Sequence, residues 1–288
     1  MKVRTIALAG IGVASILLAG CASAEPTATA PATDDSTAAF TTTVAGVLTV
    51  GNSAVYPPMS FLPTENADPA DRVGFDIDIA TAIADELGLE VVFQQESYEQ
   101  YLPSLATGRL DVVQSAMQDL ETRRETADFV DYMMTGPQLF TTVDRTDLKG
   151  LEDLCGGSVV LDTGDVGYRD ALAVASEKVC DEPITVIDAA GTADALLQLD
   201  QGRADATIRG AEAVRFLAED GKYMGVGEPL TSIPVGIAVD LENTALRDAI
   251  AAALQTLIDN GTYAEIGERW GLSDLLLTEV TINGAPVA

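Results

Sequence analysis

The sequence predicts an α/β fold built as two similar lobes. Three observations carry this. Short apolar runs alternate with segments of helical period, the order expected of a parallel sheet with helices on its faces. A first round of that alternation ends near residue 135, and a second starts near residue 159. Glycines at 88, 108 and 202 stand where three of the helical segments have to stop.

Residues 47–50 form the first strand, and the proline-containing segment 51–61, GNSAVYPPMSF, is a loop. Residues 74–88 form a helix with one apolar stripe. Ile79, Ile83 and Leu87 recur every four residues, beside Ala80 and Ala84. A strand at 91–93 and a short helix at 98–107 follow. The stretch 110–136, LDVVQSAMQDLETRRETADFVDYMMTG, organises the rest of the chain. It opens as a strand at 112–113 and crosses a polar segment at 114–120. It then enters a predicted helix start carrying Glu121, Arg123 and Arg124, before a second apolar piece at 129–134. A helix start gathers backbone N–H groups, and arginine can grip a carboxylate through two parallel bonds, so this arrangement suits an anion site. It equally suits a solvated helix face with both arginines paired to Glu121 and Glu125, and spacing alone favours that plainer reading.

The second round begins with a strand at 159–161, the loop 162–167 (DTGDVG) and a helix through residue 175. A strand at 184–187, a helix at 193–199, a strand at 206–208 and a helix at 211–218 continue it. The strand 234–239, the helix 243–260 and the segment 261–271 close the body.

With 288 residues there is room for one large domain or two ordinary ones. Formal charge is −29, and loss of Lys2 and Arg4 with a leader takes the body to −31. Such a body repels nucleic acid and anionic lipid, so neither is expected as a partner. There is no histidine, which removes Ser-His-Asp and Cys-His chemistry and the usual zinc sites. No cofactor and no metal are expected.

Residues 1–21 read as an export leader. Lys2 and Arg4 give its positive start, and the apolar stretch 6–18 is too short for a permanent span. Leu18-Ala19-Gly20-Cys21 then looks like a bacterial lipobox, in which Cys21 is lipidated and becomes the new N-terminus. Residues 22–43, rich in Ala, Thr, Pro and Asp, read as a flexible tether between the membrane anchor and the body. In an oxidising compartment the remaining pair, Cys155 and Cys180, suggests a disulfide, the alternative being two buried thiols.

The motifs YPPMSF, GFDIDIATAIADELG, YLPSLATGRLDVV, ETRRETADFVDY, LQLDQGRADA, PVGIAV and NGTYAEIGERWG follow one another in that order. Together they resemble the extracellular solute-binding proteins of family 3, which deliver polar amino acids to ABC importers. The resemblance covers about residues 44–272. It implies a periplasmic-binding-protein-like fold, with two α/β lobes joined by two hinge strands and a ligand cleft between them. Lobe 1 would span 44–135 and 236–276, lobe 2 would span 136–235, and 277–288 would be a tail. The implied function is binding without catalysis: a monomer that presents an amino acid or similar small carboxylate to an ABC permease.

The resemblance also implies roles. Arg123, six residues before Phe129, would hold the ligand carboxylate, with Arg124 off that register. Tyr56 would stack on the ligand's aliphatic part, and Tyr98 and Tyr101 would line the lobe-1 wall unless one of them is core. Ser115, Ala116 and Met117 would offer backbone groups, Gln118 a side chain, and Asp165 and Val166 the closing loop of lobe 2. Three positions depart from the family pattern: Gln118 replaces a usual Ser or Thr, Asp165 a common Thr, and Gly210 the acid that holds the ligand's α-amino group. Asp165, Asp119 or Glu212 could replace that acid; otherwise the ligand has no amine there. The second alternative admits a dehydratase acting on a cyclic carboxylic acid on the same fold, with Glu212 or Asp165 as its general acid.

Overall fold

The computed structural model describes residues 40–64, 66–163 and 165–287. The leader, Cys21 and the tether up to residue 39 lie outside the described residues. The described chain opens with β1 (Val47–Asn52), the small hairpin of β2 (Val55–Tyr56) and β3 (Ser60–Phe61), α1 (Phe75–Glu86) and β4 (Glu90–Gln95). Next come α2 (Tyr101–Ala106), β5 (Val112–Val113) and the long β6 (Ala127–Thr135). A second group follows: β7 (Pro137–Thr142), β8 (Ser158–Asp162), α3 (Val166–Val179), β9 (Thr185–Ala189), α4 (Thr192–Asp200), β10 (Ala206–Gly210), α5 (Ala211–Glu219) and β11 (Tyr223–Val226). The chain then returns through β12 (Ile233–Asp240), α6 (Thr244–Asp259), α7 (Thr262–Arg269), β13 (Leu276–Ile282) and β14 (Ala285–Pro286).

Two main sheets result, ordered β14-β13-β6-β12-β5-β1-β4 and β11-β7-β10-β8-β9. β1 runs parallel to β4 and β5, and β8 runs parallel to β9 and β10. The sheets are mixed rather than purely parallel, because β6, β12 and β13 in one and β7 and β11 in the other pair antiparallel. The chain crosses between the sheets twice, at Gly136 and through residues 227–232. The crossings touch: Leu230 donates its backbone N–H to Pro137 O at 2.8 Å. A Cβ on Gly136 would overlap the Thr231 carbonyl oxygen, so only glycine fits that passage.

The helices form where apolar stripes predicted them. α1 buries Ile79 and Ile83, and Gly88, at φ +67°, turns the chain out of it. α6 buries Leu246, Ile250, Leu254 and Leu257 against the larger sheet, each worth about 2 kcal/mol relative to exposure. α2 covers the opposite face of that sheet with Tyr101 and Leu105.

Four expectations are corrected. There is no helix start at 121: residues 121–126 form one isolated turn, with Arg124 N on Leu120 O and Ala127 N on Arg123 O, both at 3.1 Å. Those six residues have no apolar side to bury, and β6 begins at once behind them. Residues 277–288 are not simply a tail, since β13 pairs with β6 and turns back into β14 through Asn283 and Gly284. The end of the expected tether is docked: Phe40 packs on the larger core and Thr43 N donates to Asp111 Oδ1 at 2.6 Å. α3 runs four residues beyond its expected end.

Cys155 and Cys180 are bonded, tying the segment before β8 to the end of α3. The pair closes a loop with a sequence separation of 25. Replacing both cysteines by serine is expected to cost about 3 kcal/mol in the chain-entropy picture. The check is the urea midpoint under non-reducing conditions; an unmoved midpoint would show that the bond adds nothing.

Candidate functional site

A cavity of about 720 Å³ lies between the two sheets. Its walls are the segments that leave the carboxyl ends of the parallel strands, where open α/β sheets place ligands. Ser53 and Tyr56 follow β1, Glu96 and Tyr98 follow β4, and Ser115, Ala116 and Gln118 follow β5. Thr135 ends β6. From the smaller sheet come Asp165, Val166 and Tyr168 after β8, and Gly210 and Glu212 after β10.

Eight of the residues singled out from the sequence are thus brought together: Tyr56, Tyr98, Ser115, Ala116, Gln118, Asp165, Val166 and Gly210. Two are not. Tyr101 is fully buried in the α2 core and donates its hydroxyl to Ser115 Oγ at 2.9 Å. It stands behind the wall that Tyr98 faces, because Tyr98 lies in the preceding turn and stays exposed. Met117 is also core, packed with Leu105 and Phe129, and its backbone oxygen accepts from Gly236 N at 3.0 Å. Ala116 is on the wall but its N–H is not free. Asp76 Oδ2 accepts it at 2.9 Å, fixing Ala116 at φ +49° and so turning Ser115 to one side and Met117 to the other.

Arg123 occupies the rim. Its side chain is not among those lining the cavity, yet it contacts two residues that are. It donates to Gln118 O at 2.7 Å, and its guanidinium carbon lies 5.4 Å from the Tyr98 ring centre. It has no carboxylate partner among the described residues. Arg124 differs. It grips both oxygens of the buried Asp119, at 2.6 and 2.7 Å, which commits that pair to the frame.

Glu212, on the first turn of α5, points back over Gly210 into the cavity. It accepts from the Tyr56 hydroxyl at 2.6 Å and from the Thr135 hydroxyl. These bonds join the smaller sheet's α5 to the larger sheet's loop and to the end of β6. A Cβ on Gly210 would collide with Glu212 Oε1 and lie 2.8 Å from the Tyr56 oxygen. Burial first, then the Glu212 carboxylate, holds the Tyr56 hydroxyl well above its usual value and pushes Tyr168 up to about 12. Both therefore stay protonated donors at neutral pH. Burial raises the Asp165 carboxyl, while Arg209, 2.9 Å away, pulls it back. Arg209 thus points at Asp165 and is spent there. Tyr168 was not singled out from the sequence, although it lies one helical turn beyond Asp165 and could have been found by that spacing.

The profile of the bacterial extracellular solute-binding proteins, family 3, matches residues 48–273. The chain belongs to that family. It is 35% identical to the arginine-binding protein ArgT of Corynebacterium glutamicum, over 84% of this chain and 80% of that one. Among solved structures it resembles an ancestral arginine-binding protein bound to arginine, with a TM-score of 0.61 and 31% identity over 78% of this chain and 98% of that one. The ancestral amino-acid-binding protein AncCDT-1, a precursor of cyclohexadienyl dehydratase, matches with a TM-score of 0.61 and 29% identity, over 78% of this chain and 95% of that one. Each of these relatives is a binding protein. No described helix of this solute-binding protein is long and apolar enough to cross a membrane.

Proposed function

We propose that this solute-binding protein captures a cationic amino acid, with arginine the first candidate, and presents it to an ABC importer. One observation supports the ligand class above the others: of the three carboxylates that line the cavity, Glu96 and Asp165 each meet one arginine, while Glu212 meets only hydroxyls and leaves a negative charge uncompensated. A site so charged favours cations and rejects acidic amino acids. The relatives named above bind arginine or amino acids, which agrees with that reading. Arg123 would hold the ligand carboxylate, since it lacks an acidic partner and stands at Gln118 and Tyr98. Tyr56 and Tyr98 would flank the aliphatic stem. Asp165 and Val166, at the start of α3, would close on the ligand as the lobes approach. We place the protein outside the cytoplasm, anchored by a lipid on Cys21.

The test is a thermal-shift panel of arginine, lysine, ornithine, glutamine, glutamate, cystine and simple cyclic carboxylates. A ligand at a hundredfold excess over its dissociation constant adds about 2.7 kcal/mol. That corresponds to a rise of roughly 5–10 °C in a chain of this size. The expected pattern is a shift with arginine or another cationic amino acid and none with glutamate. No shift with any amino acid would sink the proposal, and a cyclic carboxylate that shifts the melt and is consumed would favour the dehydratase alternative.

A further inference from the structure

Three carboxylates reach the cavity, but a cation already meets two of them. Arg109 lies 3.1 Å from Glu96, and Arg209 lies 2.9 Å from Asp165. Two acids stand behind this wall: Asp119 is clamped by Arg124, and Asp76 is turned away from the cavity onto Tyr132 and the Ala116 N–H. Glu212 is 3% exposed and has no Lys or Arg partner among the described residues. Its two bonds come from neutral hydroxyls, those of Tyr56 and Thr135. A carboxylate accepts more than two bonds, so part of its capacity stays open toward the cavity it lines. A buried carboxylate without a counter-charge is costly, and a ligand cation removes that cost on binding.

Gly210 is the other half of the arrangement. A side chain there would run into Glu212 Oε1, so the absent side chain is the space the carboxylate occupies. A side chain at 210 would displace the Glu212 carboxylate from its present place. Tyr56 and Thr135 hold the carboxylate from the larger sheet's side and fix its aim. Each oxygen of this carboxylate already accepts one hydroxyl, so the parallel pair of acceptors that a planar guanidinium grips is not free, and a primary ammonium, with three donors and a compact charge, suits it better.

We propose that Glu212 receives the ligand's α-ammonium and confines this site to ligands with a free primary amine. The proposal rests on the amino-acid reading above. It adds that the acid has moved two residues along the chain, from the end of β10 to the first turn of α5.

The experiment is calorimetric titration with L-arginine and with 5-guanidinopentanoate, which lacks only the α-amine. If the panel selects another amino acid, that compound and its des-amino counterpart replace them. The unaltered protein is expected to prefer arginine by ~100-fold or more, as for a buried charge pair deprived of one partner. Glu212→Gln keeps the shape and the contact with Tyr56. It is expected to lose ~100-fold in arginine affinity, with little change for the des-amino compound. In the double variant Gly210→Asp, Glu212→Ala the preference should return, because the carboxylate is restored from the neighbouring strand end. Equal affinity of the unaltered protein for both compounds overturns the assignment, and this arm needs no variant to fold. So does a Glu212→Gln protein that keeps its preference. Binding of neither arginine nor any other amino acid overturns the underlying reading instead.

Discussion

Arg123→Ala is expected to weaken ligand binding by ~100-fold or more, the usual effect of removing one partner from a desolvated charge pair. It is expected to cost no more than about 1 kcal/mol of stability, the worth of one ordinary hydrogen bond. The reason is its set of contacts. Arg123 gives one bond to a backbone oxygen, lies over one ring and neutralises no carboxylate among the described residues. Arg124→Ala is expected to do the reverse. It strands Asp119, a buried acid whose two oxygens the guanidinium Nε and Nη2 now satisfy. The cost is about 2–4 kcal/mol of folding stability, with ligand affinity nearly unchanged. Isothermal titration and urea unfolding on the two single variants separate these outcomes. Normal binding by Arg123→Ala would remove that residue from the site.

The two arginines show how far the sequence could be read. Their order relative to Phe129 separates one from the other, but spacing alone pairs both with Glu121 and Glu125, and neither pair forms. The strand and helix periods placed most elements within a few residues, because buried stripes leave an unambiguous pattern. What escaped depends on backbone turns that carry no such pattern. Ala116 takes a left-handed conformation although it is not glycine, and this sends Met117 into the core. Tyr98 and Tyr101 look alike in YEQYLP, yet a change from a tight turn to a helix buries one and exposes the other. The closing hairpin did carry a signal. Asn283-Gly284 is the dipeptide that two-residue hairpin loops favour, and both residues have positive φ. Glu212 lies two residues from a position that sequence order marks as empty, and only the space above Gly210 shows why.

Stability is expected to fall as pH rises from about 4 to about 7, opposite to the trend of a protein held by exposed ion pairs. Two buried acids set the sign. Asp76 is fully buried beneath the cavity wall. Burial pushes its carboxyl up to about 7, against the Tyr132 hydroxyl and Ala116 N–H that bond its charged form. Burial also pushes Asp131 up to about 7, against Thr281 and Gly284, with Asp119 adding to the rise. In the unfolded chain both ionise near the ordinary carboxylate value, so the native state binds more protons across that window. Their contribution is therefore full below about pH 4 and lost as pH passes about 7. Raising one carboxyl from its ordinary value near 4 to about 7 corresponds to about 4 kcal/mol. The growing negative charge of the chain pulls in the same direction, since 45 acidic residues face 16 basic ones. Below that window the trend reverses. Asp274, held low by Arg215, and Asp205, held low by Ser158 and Arg145, lose their partners when protonated. Urea unfolding at pH 5, 6, 7 and 8 should show a declining free energy, and Asp131→Asn should flatten the decline. A free energy that stays level or climbs between pH 5 and 8 would mean that Asp76 and Asp131 are charged in the native state. The tie from Asp76 to Ala116 would then be a charge-assisted bond, and breaking it should disturb the wall that carries Ser115.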